Sequence, residues 1–147
     1  MKFQKSITVS YKSELEYESV NPQGNKVEID MYAPEQKKHQ SPTELLLSAI
    51  AACSAVDVIQ ILQKKRKTID DLKVVAEGIR RSENPKFFTD ILLTFKLSSP
   101  NTSLEELEKV VALSVDKYCS VAATVRGIAN LRYQSEIISE KKNPQSN

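Results

Sequence analysis

Only two cysteines, Cys53 and Cys119, and one histidine, His39, occur in the 147 residues. Two cysteines do not make the dense disulfide framework of a small secreted domain. Their spacing with His39 and Asp57 matches no zinc signature, so no metal centre is expected. The N-terminal stretch MKFQKSITVS lacks the apolar core of a secretory signal. A dominant charge is missing too: with a net charge of +2 and scattered basic residues, there is no nucleic-acid footprint. The one dense basic run, Lys64-Lys65-Arg66-Lys67, reads as a helix C-terminus complementing the macrodipole. No repeat or linker divides the chain. These absences predict a cytoplasmic protein with reduced thiols and neither a nucleic-acid nor a membrane partner. In that compartment a cysteine pair is more often redox-active or catalytic than a permanent staple.

What is present is a helix. From Ser41 to Arg66 the chain reads SPTELLLSAIAACSAVDVIQILQKKR. Ser41 is a good N-cap, Pro42 suits the first helical position, and Glu44 at the third completes a capping box. From Leu45 to Leu62 only Ser48, Ser54, Asp57 and Gln60 are polar. A helix apolar on nearly all sides is buried in a core or a membrane, and a central carboxylate at Asp57 argues for the core. The spacing therefore predicts a central helix wrapped by the rest of the chain, carrying Cys53 into the interior.

Around it, residues 2–9 and 11–20 have strand character, with Leu15 and Tyr17 two apart on one face. Asn21 to Asn25 is a turn with Pro22 and Gly24, and residues 26–31 alternate as a half-buried strand. Together these predict a three-stranded antiparallel meander. A polar connector, residues 33–40, leads into the helix. Residues 70–81 favour a strand with a bulge at Gly78. Residues 82–86 turn, and 88–97 form the clearest strand, giving a second hairpin. Ser103 with Glu106 is another capping box, opening a helix to about Tyr118. A short further helix over 121–126 and a final strand over 128–139 follow. The order is βββ–α–ββ–α–β, an α+β fold with a long buried central helix packed on antiparallel sheets. One domain over residues 1–140 is expected, with 141–147 a disordered tail.

Cys53 lies beyond reach of the helix N-terminal dipole, whose field fades within the first turn. Burial raises a thiol's pKa, and an ionised Asp57 at i+4 adds to that. Local sequence thus predicts a dull thiol unless a cation arrives from elsewhere in the fold. Cys119, in Lys117-Tyr118-Cys119-Ser120-Val121 at a helix end, is expected to be the more exposed. If the two meet, they have the logic of an attacking and a resolving thiol; the sequence leaves that open. Glu44, His39 and Asp57 are the remaining binding candidates. The capping box accounts for Glu44, and a polar connector for His39. Arg80, Arg81 and Arg126 are candidate cations.

The run from Ser41 to Ser54 with Asp57-Val58 resembles the OsmC/Ohr family, the osmotically inducible and organic-hydroperoxide-resistance proteins, and especially an OsmC-like subgroup with PxELLL at the helix start. So do Lys117 to Val121 before a final strand, and the Asn84-Pro85 turn before Phe88-Thr89. The resemblance implies an intertwined homodimer with two long helices back to back and active sites at the dimer interface. It also implies thiol-dependent reduction of hydroperoxides in oxidative or osmotic stress. Cys53 would attack, Cys119 would resolve, a dithiol would serve as reductant, and no cofactor would be needed. Apolar neighbours such as Ile50 and Val56 would favour organic hydroperoxides. In the hydroperoxide-resistance branch an Arg from the N-terminal sheet activates the thiol, held by a Glu directly after the helix-start Pro. Here the first 65 residues hold no Arg and Thr43 follows Pro42. Glu44, one place on, points about 100° away around the helix. Lys12 or His39 is left to stand in for the Arg. The alternative is a non-catalytic dimeric small-molecule-binding or redox-sensing protein.

Overall fold

The computed structural model describes residues 1–138. The expected tail, 141–147, and the end of the expected final strand, Ser139, lie outside the described residues. Two compact units are present, Met1–Leu46 and Leu47–Asn147.

The first unit is an antiparallel meander of β1 (Thr8–Ser13), β2 (Glu16–Val20) and β3 (Lys26–Asp30). Three strands are present as expected, but the first two are displaced: residues 2–7 stay outside β1, and the first reversal falls at Glu14-Leu15, inside the expected strand 11–20, so Leu15 lies in the turn and not beside Tyr17 on a strand face. Glu14 supplies the left-handed turn conformation, at φ 44°. No Gly, Pro or Asn marks the spot, so turn chemistry could not reveal it. The second reversal uses its expected residues: the Asn21 side chain accepts from the Asn25 amide at 2.8 Å, and Gly24 sits at φ 85°. After β3 the connector folds around one carboxylate. The Asp30 side chain, fully buried, accepts from Lys37 Nζ at 2.8 Å and from the amides of Lys38 (2.8 Å), His39 (2.6 Å) and Tyr32 (3.3 Å). Burial pushes this carboxyl up, but Lys37 and the three amides outweigh it and hold it well below the usual range.

Helix α1 (Pro42–Lys64) begins as the capping box requires: Glu44 N donates to Ser41 Oγ at 3.3 Å, and Ser41 N to Glu44 Oε1 at 3.2 Å. Its end is a Schellman arrangement, in which Lys67 N donates to Leu62 O and Arg66 N to Gln63 O. Arg66 takes the left-handed position at φ 59°. Between the ends, the helix is less enclosed than its composition suggests. Only Ile50, Ser54, Val58 and Leu62 are buried, a stripe one residue wide at every fourth position. Val56 is 54% exposed. The chain itself covers one face of α1, not all of them.

That stripe joins a core with Leu93, Phe95 and Leu97 of β5 (Phe88–Ser98) and Leu107, Val110 and Val111 of α2 (Leu104–Leu113). β4 (Asp71–Arg80) pairs antiparallel with β5 as expected. The irregularity in the pairing lies between Ile79 and Arg80, not at Gly78. Gly78 serves another end: a Cβ there would fall inside the Phe88 ring, which packs across the glycine. β6 (Asn130–Ile137) pairs with β5 in parallel, so the second sheet is mixed rather than antiparallel. The cause is the long connection through α2, a π-helical turn (Ser114–Tyr118) and α3 (Ser120–Val125), because parallel neighbours need a crossover of this kind.

Ser103 and Glu106 form the second capping box, at 3.2 and 2.9 Å. Lys67 does more than complement a dipole: its Nζ lies 2.8 Å from Glu106 and 2.9 Å from Asn101 O, tying the end of α1 to the start of α2. The Lys67 bond, followed by the Ser103 amide, draws the Glu106 carboxyl from its ordinary 4.5 to about 2. A carboxyl depressed on folding contributes stability above its unfolded pKa, lost as pH falls through the folded value. Resistance to urea unfolding is therefore expected to fall between about pH 4.5 and 2, and to fall less over that window in Lys67→Met. Identical pH profiles for the two proteins would contradict this assignment.

Candidate functional site

Cys53 and Cys119 both lie in the second unit, and both are free thiols. The expected order of exposure is reversed: Cys53 is partly exposed, whereas Cys119 is 2% exposed. The turn geometry explains why. The π-helical turn closes with Cys119 N donating to Ser114 O at 2.8 Å. The next residue starts α3, and Cys119 Sγ caps it by accepting from Ala122 N at 3.4 Å. A sulfur engaged in capping turns back onto the core rather than out to solvent.

Two serine hydroxyls stitch this corner to α1. Ser54 Oγ donates to Ile50 O at 2.8 Å and reaches Cys119 Sγ at 3.4 Å. Ser114 Oγ donates to Ser54 O at 3.0 Å and reaches Asp57 Oδ2 at 3.5 Å. Both serines are fully buried. Burial pushes the Cys119 thiol up; the Ser54 hydroxyl and the Ala122 amide pull it back, while Cys53 pushes it up again.

The other candidates divide. Asp57 joins the cluster through Ser114. Glu44 stays with Ser41 and lies 3.7 Å from Lys37. His39 is bound to Asp30 through its main-chain amide. Lys12 pairs with Glu18 and Glu28 at 3.5 and 3.4 Å. Arg81 pairs with Glu83 at 3.2 Å. Arg126 donates to Val115 O at 2.7 Å and lies 3.4 Å from Asp116, which also accepts from Tyr133 at 2.6 Å. Among the described residues, the donors to Cys119 Sγ are a hydroxyl and an amide, not a cation. Ile50 and Val56 do not flank one pocket, since the first is fully buried and the second is exposed. Among the described residues, no group of three or more His, Cys, Asp or Glu is placed to hold a metal.

Ser54 and Ser114 are the residues that sequence reasoning passed over. The available signal was a hydroxyl inside each otherwise apolar helical run. By length and composition α1 could cross a membrane, but its Ser54 and Asp57 bond to the α2–α3 corner, as in a core helix.

The model of the family described as "OsmC-like protein" matches residues 35–133 of this chain. The chain belongs to the OsmC family. Protein YhfA of Escherichia coli K12 is 37% identical over 102 residues, covering 69% of this chain and 76% of YhfA. The crystal structure of a hypothetical protein from Aquifex aeolicus VF5 is similar with a TM-score of 0.80 and 33% identity, over 96% of this chain and all of that one. The organic hydroperoxide resistance protein OhrB of Bacillus subtilis, at 15% identity and a TM-score of 0.63, covers 91% of this chain and 98% of its own. At that identity the likeness to OhrB shows a shared fold. With OsmC membership comes the α+β architecture described above.

Proposed function

We propose that this OsmC family protein is a cytoplasmic thiol peroxidase that reduces organic hydroperoxides, with Cys53 attacking and Cys119 resolving. One observation supports the reading: Ser54, the residue after the partly exposed Cys53, bonds the buried Cys119, so Cys119 packs against the turn of α1 that carries Cys53. The Cys53 thiolate attacks the terminal peroxide oxygen, breaking the O–O bond and leaving a sulfenic acid and an alcohol. Cys119 sulfur then attacks the Cys53 sulfenic sulfur, forming the disulfide and releasing water. A dithiol reverses the disulfide and is itself oxidised to one. The name of OhrB, organic hydroperoxide resistance, supports the substrate class.

The working form in this reading is a homodimer. The face of α1 bearing Ala49, Ala52 and Val56 is exposed and apolar, and a second copy would remove that surface from water. The test uses one sample. After one equivalent of cumene hydroperoxide, peptide mapping is expected to recover Cys53 joined to Cys119, and sedimentation to give twice the chain mass. Two intact thiols would refute the peroxidase, and a monomer mass would refute the dimer.

A further inference from the structure

Ser54 is fully buried, and its single hydroxyl proton has two acceptors within reach: Ile50 O at 2.8 Å and Cys119 Sγ at 3.4 Å. With Cys119 as a neutral thiol, the shorter bond to Ile50 uses that proton, and the serine is an ordinary helical residue bonding back one turn. With Cys119 as a thiolate, the sulfur becomes the far stronger acceptor, because hydrogen bonds to charged groups are roughly twice as strong as neutral ones. The Ile50 carbonyl keeps its helical bonding, so the hydroxyl can turn from one acceptor to the other. Ser114 Oγ, donating to the Ser54 carbonyl at 3.0 Å, fixes the main chain from which this hydroxyl is aimed.

We propose that Ser54 is a positioning residue for the thiol–disulfide steps, its hydroxyl turning from Ile50 O to Cys119 Sγ whenever that sulfur carries negative charge. The inference rests on the peroxidase reading above and deepens it. In closure, the Cys119 thiolate attacks the sulfur of the Cys53 sulfenic acid; a new S–S bond forms, the S–O bond breaks, and hydroxide leaves to be protonated to water. In reopening, a reductant thiolate attacks the sulfur of Cys53, the more exposed of the pair. The S–S bond to Cys119 breaks, and its electron pair leaves on Cys119. The second thiol of the dithiol then attacks the mixed disulfide and frees Cys53. Two protons from the dithiol end on the two cysteines, and the dithiol leaves as a disulfide. In both directions Cys119 bears the charge, in a place that solvent does not reach. The Ala122 amide at 3.4 Å is the other donor there.

Cys53 on α1 pushes the Cys119 thiol's pKa up. Asp57 on α1 is held at Ser114, and Asp116, Arg126 and Tyr133 are bonded to one another. The test follows closure after a single peroxide equivalent, by quench and mass spectrometry across pH, in the full-length protein. Ser54→Ala is expected to slow closure about tenfold at neutral pH, from the loss of one hydrogen bond to a charged group. It should also move the pH midpoint of closure upward and let the Cys53 sulfenic acid accumulate. Ser54→Thr, which keeps the hydroxyl, should hold the wild-type midpoint. A wild-type rate and midpoint in Ser54→Ala would overturn the proposal. Equal shifts in the Ala and Thr variants would overturn it as well, since they would report altered packing rather than a lost hydroxyl. Failure of the wild type itself to form the disulfide is a different result, and it falls on the peroxidase reading.

Discussion

Hydroperoxide consumption with dithiothreitol as reductant is expected to fall to the protein-free rate in Cys53→Ser and to persist in altered form in Cys119→Ser. The asymmetry follows from the positions of the two sulfurs. Cys53 is partly exposed on α1 and Cys119 is buried, so a peroxide from solvent meets Cys53 first. A serine hydroxyl is not ionised near neutral pH and does not replace a thiolate as nucleophile toward an O–O bond. Cys119→Ser keeps the attacking group and loses the resolving one. Its first turnover should leave a sulfenic acid that dimedone traps, and excess peroxide should carry that acid on to sulfinic acid. Small-molecule thiol can reduce the sulfenic acid directly, so steady turnover in this variant should depend steeply on dithiothreitol concentration, unlike wild type. Equal rates in wild type and Cys53→Ser would sink the peroxidase reading and favour a dimeric binding or redox-sensing protein.

The parts of this site that are legible in the sequence are those encoded within a few residues. Both capping boxes, Ser41 with Glu44 and Ser103 with Glu106, stand where their spacing puts them. The Asn21–Asn25 turn and the β4–β5 hairpin are readable for the same reason. The hidden features depend on contacts across the chain. The exposure of Cys119 cannot be judged from its polar neighbours Lys117 and Ser120, because a π-helical turn and an N-cap decide which way the sulfur faces. The parallel pairing of β6 depends on where the crossover returns. The apolarity of α1 predicts burial on all sides, yet one chain covers only the Ile50–Leu62 stripe. Composition records how much surface must leave water, not which molecule covers it. The absence of an N-terminal Arg is legible in the sequence, but the commitment of Lys12 to Glu18 and Glu28 is not.

The largest stability effect is expected at Gly78, a residue whose spacing suggests only a bulge. Gly78→Val would ordinarily help a strand, because the β-branched side chain suits the pleat and glycine weakens strand interiors; that gain is about 1 kcal/mol. Here the new Cβ would occupy the space of the Phe88 ring. Phe88 is 8% exposed and belongs to the core of the second unit, so its ring has nowhere to shift without leaving partners such as Ile91. Expelling a buried phenylalanine, or overpacking around it, costs about 3 kcal/mol. The clash wins, and Gly78→Val should lose about 2 kcal/mol in urea unfolding at constant m-value. A double-mutant cycle isolates the cause. Phe88→Ala alone is destabilising, but it empties the space above residue 78, so adding Gly78→Val to it should be neutral or slightly stabilising. If valine costs the same with and without the Phe88 ring, the glycine is needed for its backbone and not for the ring that lies across it.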